Sequence, residues 1–202
     1  HTRCQSVTGV QTCALPILFN TLNTIVEFVR SDPARAEEML LDLSDLLRHA
    51  LRAADRHVVP LAEELALLDL YLDIQRARFG PRLQIERRIE PEALAAGVPV
   101  LLLQPLVENA LRHGLDESDV PVTVSLEARV QDERLRLAVR DDARGGPDGS
   151  AGEGIGLPNI RQRLIALYGD EFGFAAGPRR DGGFAVEFTL PVQPHNVPPF
   201  SP

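Results

Sequence analysis

Hydrophobic residues at the start of the chain recur at helical spacing. Leu18, Leu22 and Ile25 lie three or four positions apart, which places them on one stripe and predicts an amphipathic helix. The segment Ser31–Pro33 then interrupts the pattern, and an Asp or Ser before a proline at the first helical position is a typical helix start. A second helix is therefore predicted from this point to about Ala54.

A third helix is predicted for Leu61–Phe79, where leucines recur at the same spacing and Gly80–Pro81 ends the pattern. Its charged residues, among them Glu63, Glu64 and Asp69, are expected on the side opposite the leucines. Long amphipathic helices joined by a short link favour an antiparallel hairpin whose exposed apolar stripes are covered by a second copy of the chain. The alternative is a hairpin that packs on the C-terminal part of its own chain.

Beyond Arg82 the apolar residues alternate with polar ones, which is typical of strands with one buried face. Two helical patterns, Val100–His113 and Asn159–Tyr168, lie among these segments. The predicted fold class is therefore α+β, in which a helical hairpin is followed by one antiparallel sheet with helices on one face. The strands are predicted at residues 83–90, 122–130, 134–141 and 182–191.

Composition limits the possible functions. The 202 residues are 44% hydrophobic, which is enough for a buried core in one large or two small domains. The formal net charge of −8 argues against nucleic acid as a partner, because phosphate binding draws on clustered basic residues. No stretch approaches the roughly 20 apolar residues that span a bilayer, and the opening residues do not form a secretory signal. The Pro-rich residues 193–202 are expected to be disordered.

Polar residues interrupt the apolar helix in the sequence LLLQPLVENALRHGL. Glu108, Asn109, Arg112 and His113 lie within two helical turns of each other on a helix whose other face is apolar. A carboxylate beside a carboxamide on a packed helix is costly unless both are satisfied, so the pattern indicates a site. The alternative is a solvated face that ends in a cap at His113 and Gly114.

Glycines follow two of the predicted elements. Asp141 ends a strand just before a Gly-rich turn that contains Gly145, and Gly152, Gly154 and Gly156 lead into a helix. Glycine lets backbone N–H groups approach a phosphate, and a helix N-terminus adds a favourable dipole. A dinucleotide-binding βαβ unit is excluded, because the surrounding sheet pattern is antiparallel.

The order of these motifs resembles the GHKL (Bergerat) ATP-binding α/β sandwich that histidine kinases share with gyrase, a class of heat-shock chaperones and mismatch-repair ATPases. Together with the stretches LFNTLN, LSDLLRHAL and LAEELALLDLYLDIQRARFG, the chain resembles the LytS/YehU-type sensor histidine kinases of bacterial two-component systems. The resemblance covers Leu18 to about Pro191 and implies a dimerisation-type helical region at 18–80 and an ATP-binding catalytic domain at 81–192.

The resemblance implies ATP and Mg²⁺ as cofactors and assigns roles to the polar residues. Asn109 would hold Mg²⁺ on the ATP phosphates, Glu108 would polarise the attacking imidazole, and Arg112 and His113 would lie near phosphate. Asp141 would accept a hydrogen bond from the adenine amino group.

The glycines Gly145, Gly152, Gly154 and Gly156 would complete the nucleotide site, the last three as its lid. The family has glycine where this chain has Ala143, and if that turn needs positive φ, alanine adds strain of about 1 kcal/mol.

The implied activity is ATP-dependent phosphorylation of a histidine, followed by transfer to an aspartate of a response regulator, a partner that in this family carries a LytTR-type DNA-binding output. The implied assembly is a homodimer through the helical region, on the cytoplasmic face of a membrane that only a segment upstream of this chain would reach. Two alternatives remain: a non-catalytic dimerisation module with a degenerate nucleotide site, and another GHKL ATPase such as an anti-sigma-factor serine kinase.

The opening residues depart from the family. There the sequence LFN follows Pro-His-Phe, whose histidine accepts the phosphoryl group, whereas this chain has Leu15, Pro16 and Ile17. Val7–Ile17 resembles the translation of a sequencing adapter, so residues 1–17 are expected to be non-native. Both cysteines, Cys4 and Cys13, fall in this stretch, which leaves the rest of the chain without a thiolate metal site.

Overall fold

The structure, a computed structural model, describes residues 22–54, 56–116, 120–143 and 156–192. The predictions for residues 1–17 and 193–202 lie outside this part of the chain. The described helices are α1 (residues 22–31), α2 (Pro33–Ala54), α3 (Leu61–Phe79), α4 (Leu103–Leu111) and α5 (Gly156–Tyr168). The described strands are β1 (Val58–Pro60), β2 (Leu83–Ile89), β3 (Gly97–Pro99), β4 (Val122–Gln131), β5 (Arg134–Asp141), β6 (Gly173–Pro178) and β7 (Phe184–Pro191).

The break between α1 and α2 lies where the sequence predicts it. The side chain of Asp32 accepts a hydrogen bond from the backbone N–H of Arg35 at 3.1 Å, which caps the first turn of α2. The helix then runs to Ala54 as predicted. Local sequence therefore determines where these helices begin and end.

Helix α3 also has its predicted bounds and ends at Gly80, whose φ of 55° suits glycine. The predicted separation of its apolar and charged sides is wrong for Glu64, whose exposed fraction is only 1%. Helix α3 buries residues around most of its circumference because it contacts α2 on one side and α4 with β2 and β3 on the other.

The large sheet has the strand order β2-β4-β5-β7-β6. The prediction of an antiparallel sheet is right for three of its pairings and wrong for β2 and β4, which are parallel, with Ile85 opposite Val124. The chain between these two strands forms the crossover that parallel strands require, and that crossover contains α4. Strands β4 and β5 join through Asp132 and Glu133, both with positive φ, as a tight hairpin turn requires.

Two helices differ in their first turn from the prediction. Helix α4 starts at Leu103 instead of Val100, because Gly97–Pro99 pairs with Val58–Pro60 in a small antiparallel sheet. Helix α5 starts at Gly156, three residues earlier than predicted. The short strands β1, β3 and β6 have too few alternating residues for the sequence pattern to reveal them.

The hydrophobic core is continuous from the helices into the sheet and includes Ile25 of α1, Leu72 of α3 and Phe188 of β7. The predicted α+β class is confirmed. Helix α3 packs on the C-terminal part of its own chain, whereas α1 and α2 leave large apolar side chains exposed: Leu22, Val26, Val29, Leu40 and Leu41. Within the described ranges, no helix combines the length and apolarity that crossing a bilayer requires.

Candidate functional site

Helix α4 carries the first group of predicted site residues. Its apolar face is buried against the core, with Leu106 and Val107 almost fully covered. Its C-terminal end continues into a π-helical turn, Arg112–Asp116, in which the chain widens by one residue per turn. The side chain of His113 lies outside the described part of the structure.

Glu108 faces the helical region. It lines a cleft with a volume of about 330 Å³ between α4, α1 and α3. The walls of this cleft are predominantly polar. They contain carboxylates, amides and two arginines, together with two aromatic side chains of α3. We call it the α1–α4 cleft; its lining residues are Asn23, Thr24, Glu27, Tyr71, Gln75, Arg78, Phe79, Glu108, Leu111 and Arg112.

Asn109 is half-buried beside Glu108. Its carboxamide oxygen accepts a hydrogen bond from the guanidinium of Arg112 at 3.1 Å, one turn further along the helix. The structure therefore brings the predicted amide and cation together. An amide oxygen is a hard ligand of the kind that Mg²⁺ prefers, and Mg²⁺ in such sites commonly takes few protein ligands plus phosphate oxygens.

Asp141 ends β5 and is 8% exposed. Its Oδ1 accepts the backbone N–H of Ala143 at 3.1 Å and of Phe184 at 3.2 Å. Burial raises the pKa of this carboxyl, and these two hydrogen bonds partly oppose the rise. Both described donors use Oδ1, so Oδ2 is left to accept a hydrogen bond from a ligand.

The hairpin between β6 and β7 closes over the same aspartate. Arg179 donates to the backbone carbonyl of Asp141 at 3.0 Å. A Cβ on Gly183 would lie 2.0 Å from that carbonyl oxygen, and the φ of Gly183 is 79°, so only glycine fits at this position. Arg179 and Gly183 were not predicted as site residues, because they contact Asp141 across about forty residues of chain.

Ala143 does not carry the strain that the sequence suggested. The described non-glycine residues with positive φ are Leu101, Asp132 and Glu133, so the condition for strain at Ala143 is not met. Its methyl group packs against the turn after α4, where a Cβ on Gly114 would come within 3.0 Å of it. This contact places the end of β5 directly beside the end of α4.

The remaining predicted residues are glycines. Gly156 is the first residue of α5, and α5 packs against α4. Gly145, Gly152 and Gly154 lie outside the described residues. Of the predicted site, the structure therefore brings the end of α4 and the end of β5 together.

Two family models match most of the chain. The model described as histidine kinase matches residues 17–83. The model described as histidine kinase-, DNA gyrase B- and HSP90-like ATPase matches residues 98–194. The first match covers the helical region, and the second covers most of the sheet domain.

Curated relatives match over nearly the whole chain. The sensor protein LytS of Bacillus subtilis is 32% identical over 188 residues, which covers 87% of this chain and 32% of the relative. The sensor histidine kinase BtsS of Escherichia coli K12 is 32% identical over 174 residues, which covers 86% of this chain and 31% of the relative. The chain thus spans about a third of the length of these relatives.

Solved structures agree on the fold. The histidine kinase domain of the blue-light activated kinase of Erythrobacter litoralis EL346 has a TM-score of 0.52 at 20% identity, and covers 92% of this chain and 96% of that domain. The catalytic domain of the histidine kinase ThkA has a TM-score of 0.51 at 12% identity, and covers 68% of this chain and 97% of that domain. From the family models and the relatives together, the chain belongs to the LytS-type sensor histidine kinases, with a helical histidine-kinase region followed by a GHKL-type ATPase domain.

Proposed function

We propose that this chain binds Mg-ATP beside α4 and forms the catalytic region of a two-component sensor histidine kinase. GHKL ATPase domains of histidine kinases use ATP, typically with Mg²⁺. The observation that carries the proposal is that two polar regions meet at α4. Ala143, whose N–H donates to the buried carboxylate of Asp141, lies beside the turn after this helix, and Glu108 on the helix itself lines the α1–α4 cleft.

Asp141 is the proposed adenine acceptor. Its Oδ1 is held by two backbone N–H groups, which fixes the direction of Oδ2. A fixed and partly desolvated oxygen discriminates strongly in favour of a ligand amino group, because a ligand without that donor would leave the oxygen unpaired. Arg179 and Gly183 support this aspartate from the backbone side, so they position the residue without touching the ligand.

Asn109 and Arg112 are the proposed phosphate-side groups, together with His113. Bound Mg²⁺ would neutralise phosphate charge during transfer, and Asn109 would supply one oxygen ligand to it. The guanidinium of Arg112 already contacts the Asn109 carboxamide, so a positive charge lies beside the proposed metal ligand. The glycines Gly145, Gly152, Gly154 and Gly156 are proposed to approach the triphosphate through their N–H groups.

Glu108 is the proposed general base toward the acceptor imidazole. In the family the acceptor would fall at position 16, seven residues before Asn23, and seven residues are about two turns on the same face of a helix. Asn23 lines the α1–α4 cleft together with Glu108. A helix that continued α1 upstream would carry the acceptor on the same face as Asn23, toward the carboxylate that is proposed to activate it.

The proposed physiological setting follows the family. The chain is proposed to form a homodimer through the exposed apolar residues of α1 and α2, and to pass phosphate to an aspartate of a response regulator, including regulators with LytTR-type outputs. Membrane attachment is proposed only for a segment upstream of this chain.

Restoring the acceptor tests the proposal. The chain as it stands has Pro16 at the acceptor position, so incubation with γ-labelled ATP is expected to leave no acid-labile label on it. The triple replacement Leu15→Pro, Pro16→His and Ile17→Phe is expected to produce acid-labile label, and adding Glu108→Gln to it is expected to lower the rate at least about tenfold. Acid-labile label on the unaltered chain, or none on the restored chain, would contradict the proposal.

A further inference from the structure

A buried carboxylate that the proposed mechanism does not use connects the helical region to α4. Glu64 of α3 is 1% exposed. Its Oε2 accepts the backbone N–H of Leu101 at 2.9 Å, and its Oε1 accepts the backbone N–H of Leu103 at 2.9 Å. Both oxygens of one side chain therefore bind the start of a helix that lies almost forty residues further along the chain.

The start of α4 has no cap of its own. The residue at the N-cap position is Leu102, which makes no side-chain capping bond, so the first N–H groups of the helix need another acceptor. The preceding residue, Leu101, has a φ of 53°, a conformation that costs a non-glycine residue about 1 kcal/mol or more. Glu64 supplies the missing acceptor and holds Leu101 in this conformation.

A side chain of α5 also binds the segment that precedes α4. Arg163 of α5 donates to the backbone carbonyl of Val100. Arg163 is also the charged side chain whose field acts on Glu64 within the described chain. Tyr168, further along α5, lies in the field of Arg163, and burial raises the pKa of its hydroxyl to about 12, so it stays neutral. The segment before α4 thus lies between α3 and α5.

We propose that Glu64 is a positioning residue that couples the helical region to the nucleotide site, because its carboxylate fixes the start of the helix that carries Glu108 and Asn109. This inference rests on the proposed function of those two residues. Glu64 touches neither ligand nor metal. A shift of α3 relative to the sheet would pull on both hydrogen bonds and so move α4, which gives the helical region a direct mechanical connection to the proposed active centre.

The carboxyl group of Glu64 that makes this connection is titratable. Burial raises the pKa of Glu64 to about 7, against the opposing effects of the backbone N–H groups and of Arg163. Above this pH both oxygens are acceptors. Below it one oxygen carries a proton, and the pair of hydrogen bonds from Leu101 and Leu103 to the carboxyl group weakens.

A nuclear magnetic resonance titration of the full wild-type chain tests the two hydrogen bonds to Glu64 without any variant. The amide signals of Leu101 and Leu103 are expected to move together between pH 5.5 and 8.5 with one midpoint near pH 7, and the side-chain amide signals of Asn109 are expected to follow the same midpoint. If the two backbone signals do not titrate together, Glu64 does not bind both N–H groups. If they titrate and Asn109 does not follow, the coupling is wrong.

Mg-ATP binding by matched variants tests the consequence for the site. Glu64→Gln replaces one acceptor by a donor that faces an N–H group, and it is expected to weaken Mg-ATP binding about tenfold at pH 8.5 and less than about twofold at pH 5.5. Glu63→Gln removes the same charge from the neighbouring residue, which pairs with Arg56 at the surface, and is expected to bind as the wild type does. The ionisation of the triphosphate is common to all three proteins and cancels in the ratios.

The outcomes separate the coupling from the proposed function. If the wild type binds Mg-ATP and Glu64→Gln binds with an unchanged ratio across pH, the coupling is wrong and the nucleotide site stands. If the wild type does not bind Mg-ATP at any pH, the proposed function fails. The resonance titration of Leu101 and Leu103 then still tests whether Glu64 binds both N–H groups. It also answers this question if Glu64→Gln does not fold.

Discussion

Helices α2 and α3 are neighbours in the helical region, and they bury their side chains in different ways. Helix α2 buries one stripe and leaves Leu40 and Leu41 exposed by 48% and 64% on another part of its surface. Helix α3 buries residues on several sides, including the polar residues Glu64 and Gln75. Helix α2 makes its main contacts with α3, whereas α3 contacts α2 on one side and α4 with β2 and β3 on the other.

The difference shows that α3 belongs to the core of both regions. The hydrophobic core continues across residue 80, and the buried carboxylate of Glu64 extends this connection to the start of α4. Helix α2 is instead the element whose apolar surface is left for a further partner, which agrees with the proposed homodimer. Perturbations of α3 should therefore affect the whole fold, and perturbations of the exposed apolar surface of α2 should not.

The largest effect is expected from a cavity in α3. Leu72 is completely buried, so Leu72→Ala should lower the free energy of unfolding by about 3 kcal/mol, through lost transfer energy and the cavity left behind. Urea denaturation followed by circular dichroism measures this. The same change at Leu41, on the exposed apolar surface of α2, should alter the free energy of unfolding by about 0.5 kcal/mol or less, because that side chain is 64% exposed. Equal losses in the two variants would show that this surface of α2 is packed and not available to a further partner.

A second effect is expected from pH. The folded-state pKa of Glu64 is about 7, above its ordinary value of 4.5, so the folded chain binds this proton more tightly than the unfolded chain does. Its contribution to stability is therefore fully present below pH 4.5 and is lost as pH rises through 7. We expect a loss on the order of 2 kcal/mol between pH 5 and pH 8 that is absent in Glu64→Gln.

Urea titrations at several pH values measure that difference. The control is Glu63→Gln, which should retain the pH dependence of the wild type because Glu63 lies at the surface beside Arg56. If Glu64→Gln and the wild type show parallel curves across this range, the carboxyl of Glu64 does not ionise with a raised pKa.

The smallest effect is expected at the start of α2. Asp32→Ala removes the side chain that caps the backbone N–H of Arg35, and should lower the free energy of unfolding by about 1 kcal/mol. Asp32→Asn retains an acceptor oxygen and should keep nearly the stability of the wild type. Thermal or urea unfolding resolves the two variants, and an Asn variant as unstable as the Ala variant would show that the cap is not the cause.

Features that depend on local sequence were predictable. The start of α2 at the Asp-Pro pair and the bounds of α3 before Gly80 follow from capping and from periodicity, and the alternation in β4, β5 and β7 follows from one buried sheet face. The motifs on α4 and at Asp141 were likewise visible as short patterns.

Features that depend on contacts distant in sequence were not. The parallel pairing of β2 with β4 is set by a crossover, and alternation alone does not distinguish parallel from antiparallel neighbours. Glu64 resembles a surface residue in the sequence because the two backbone N–H groups that donate to its carboxylate lie almost forty positions away. The start of α4 moved for the same reason, since the residues before it pair with β1.

Mg-ATP titration calorimetry of the full chain tests the central claim most directly, with Asn109→Asp and Asp141→Asn measured beside it and Gln84→Glu on the exposed surface of β2 as the matched amide-to-carboxylate control. The account predicts one site in the wild type and the control. It predicts binding weakened at least about tenfold by Asn109→Asp, in the presence of Mg²⁺, and by Asp141→Asn, with or without the metal. Unchanged affinity in both site variants, or no binding by the wild type, would contradict the account.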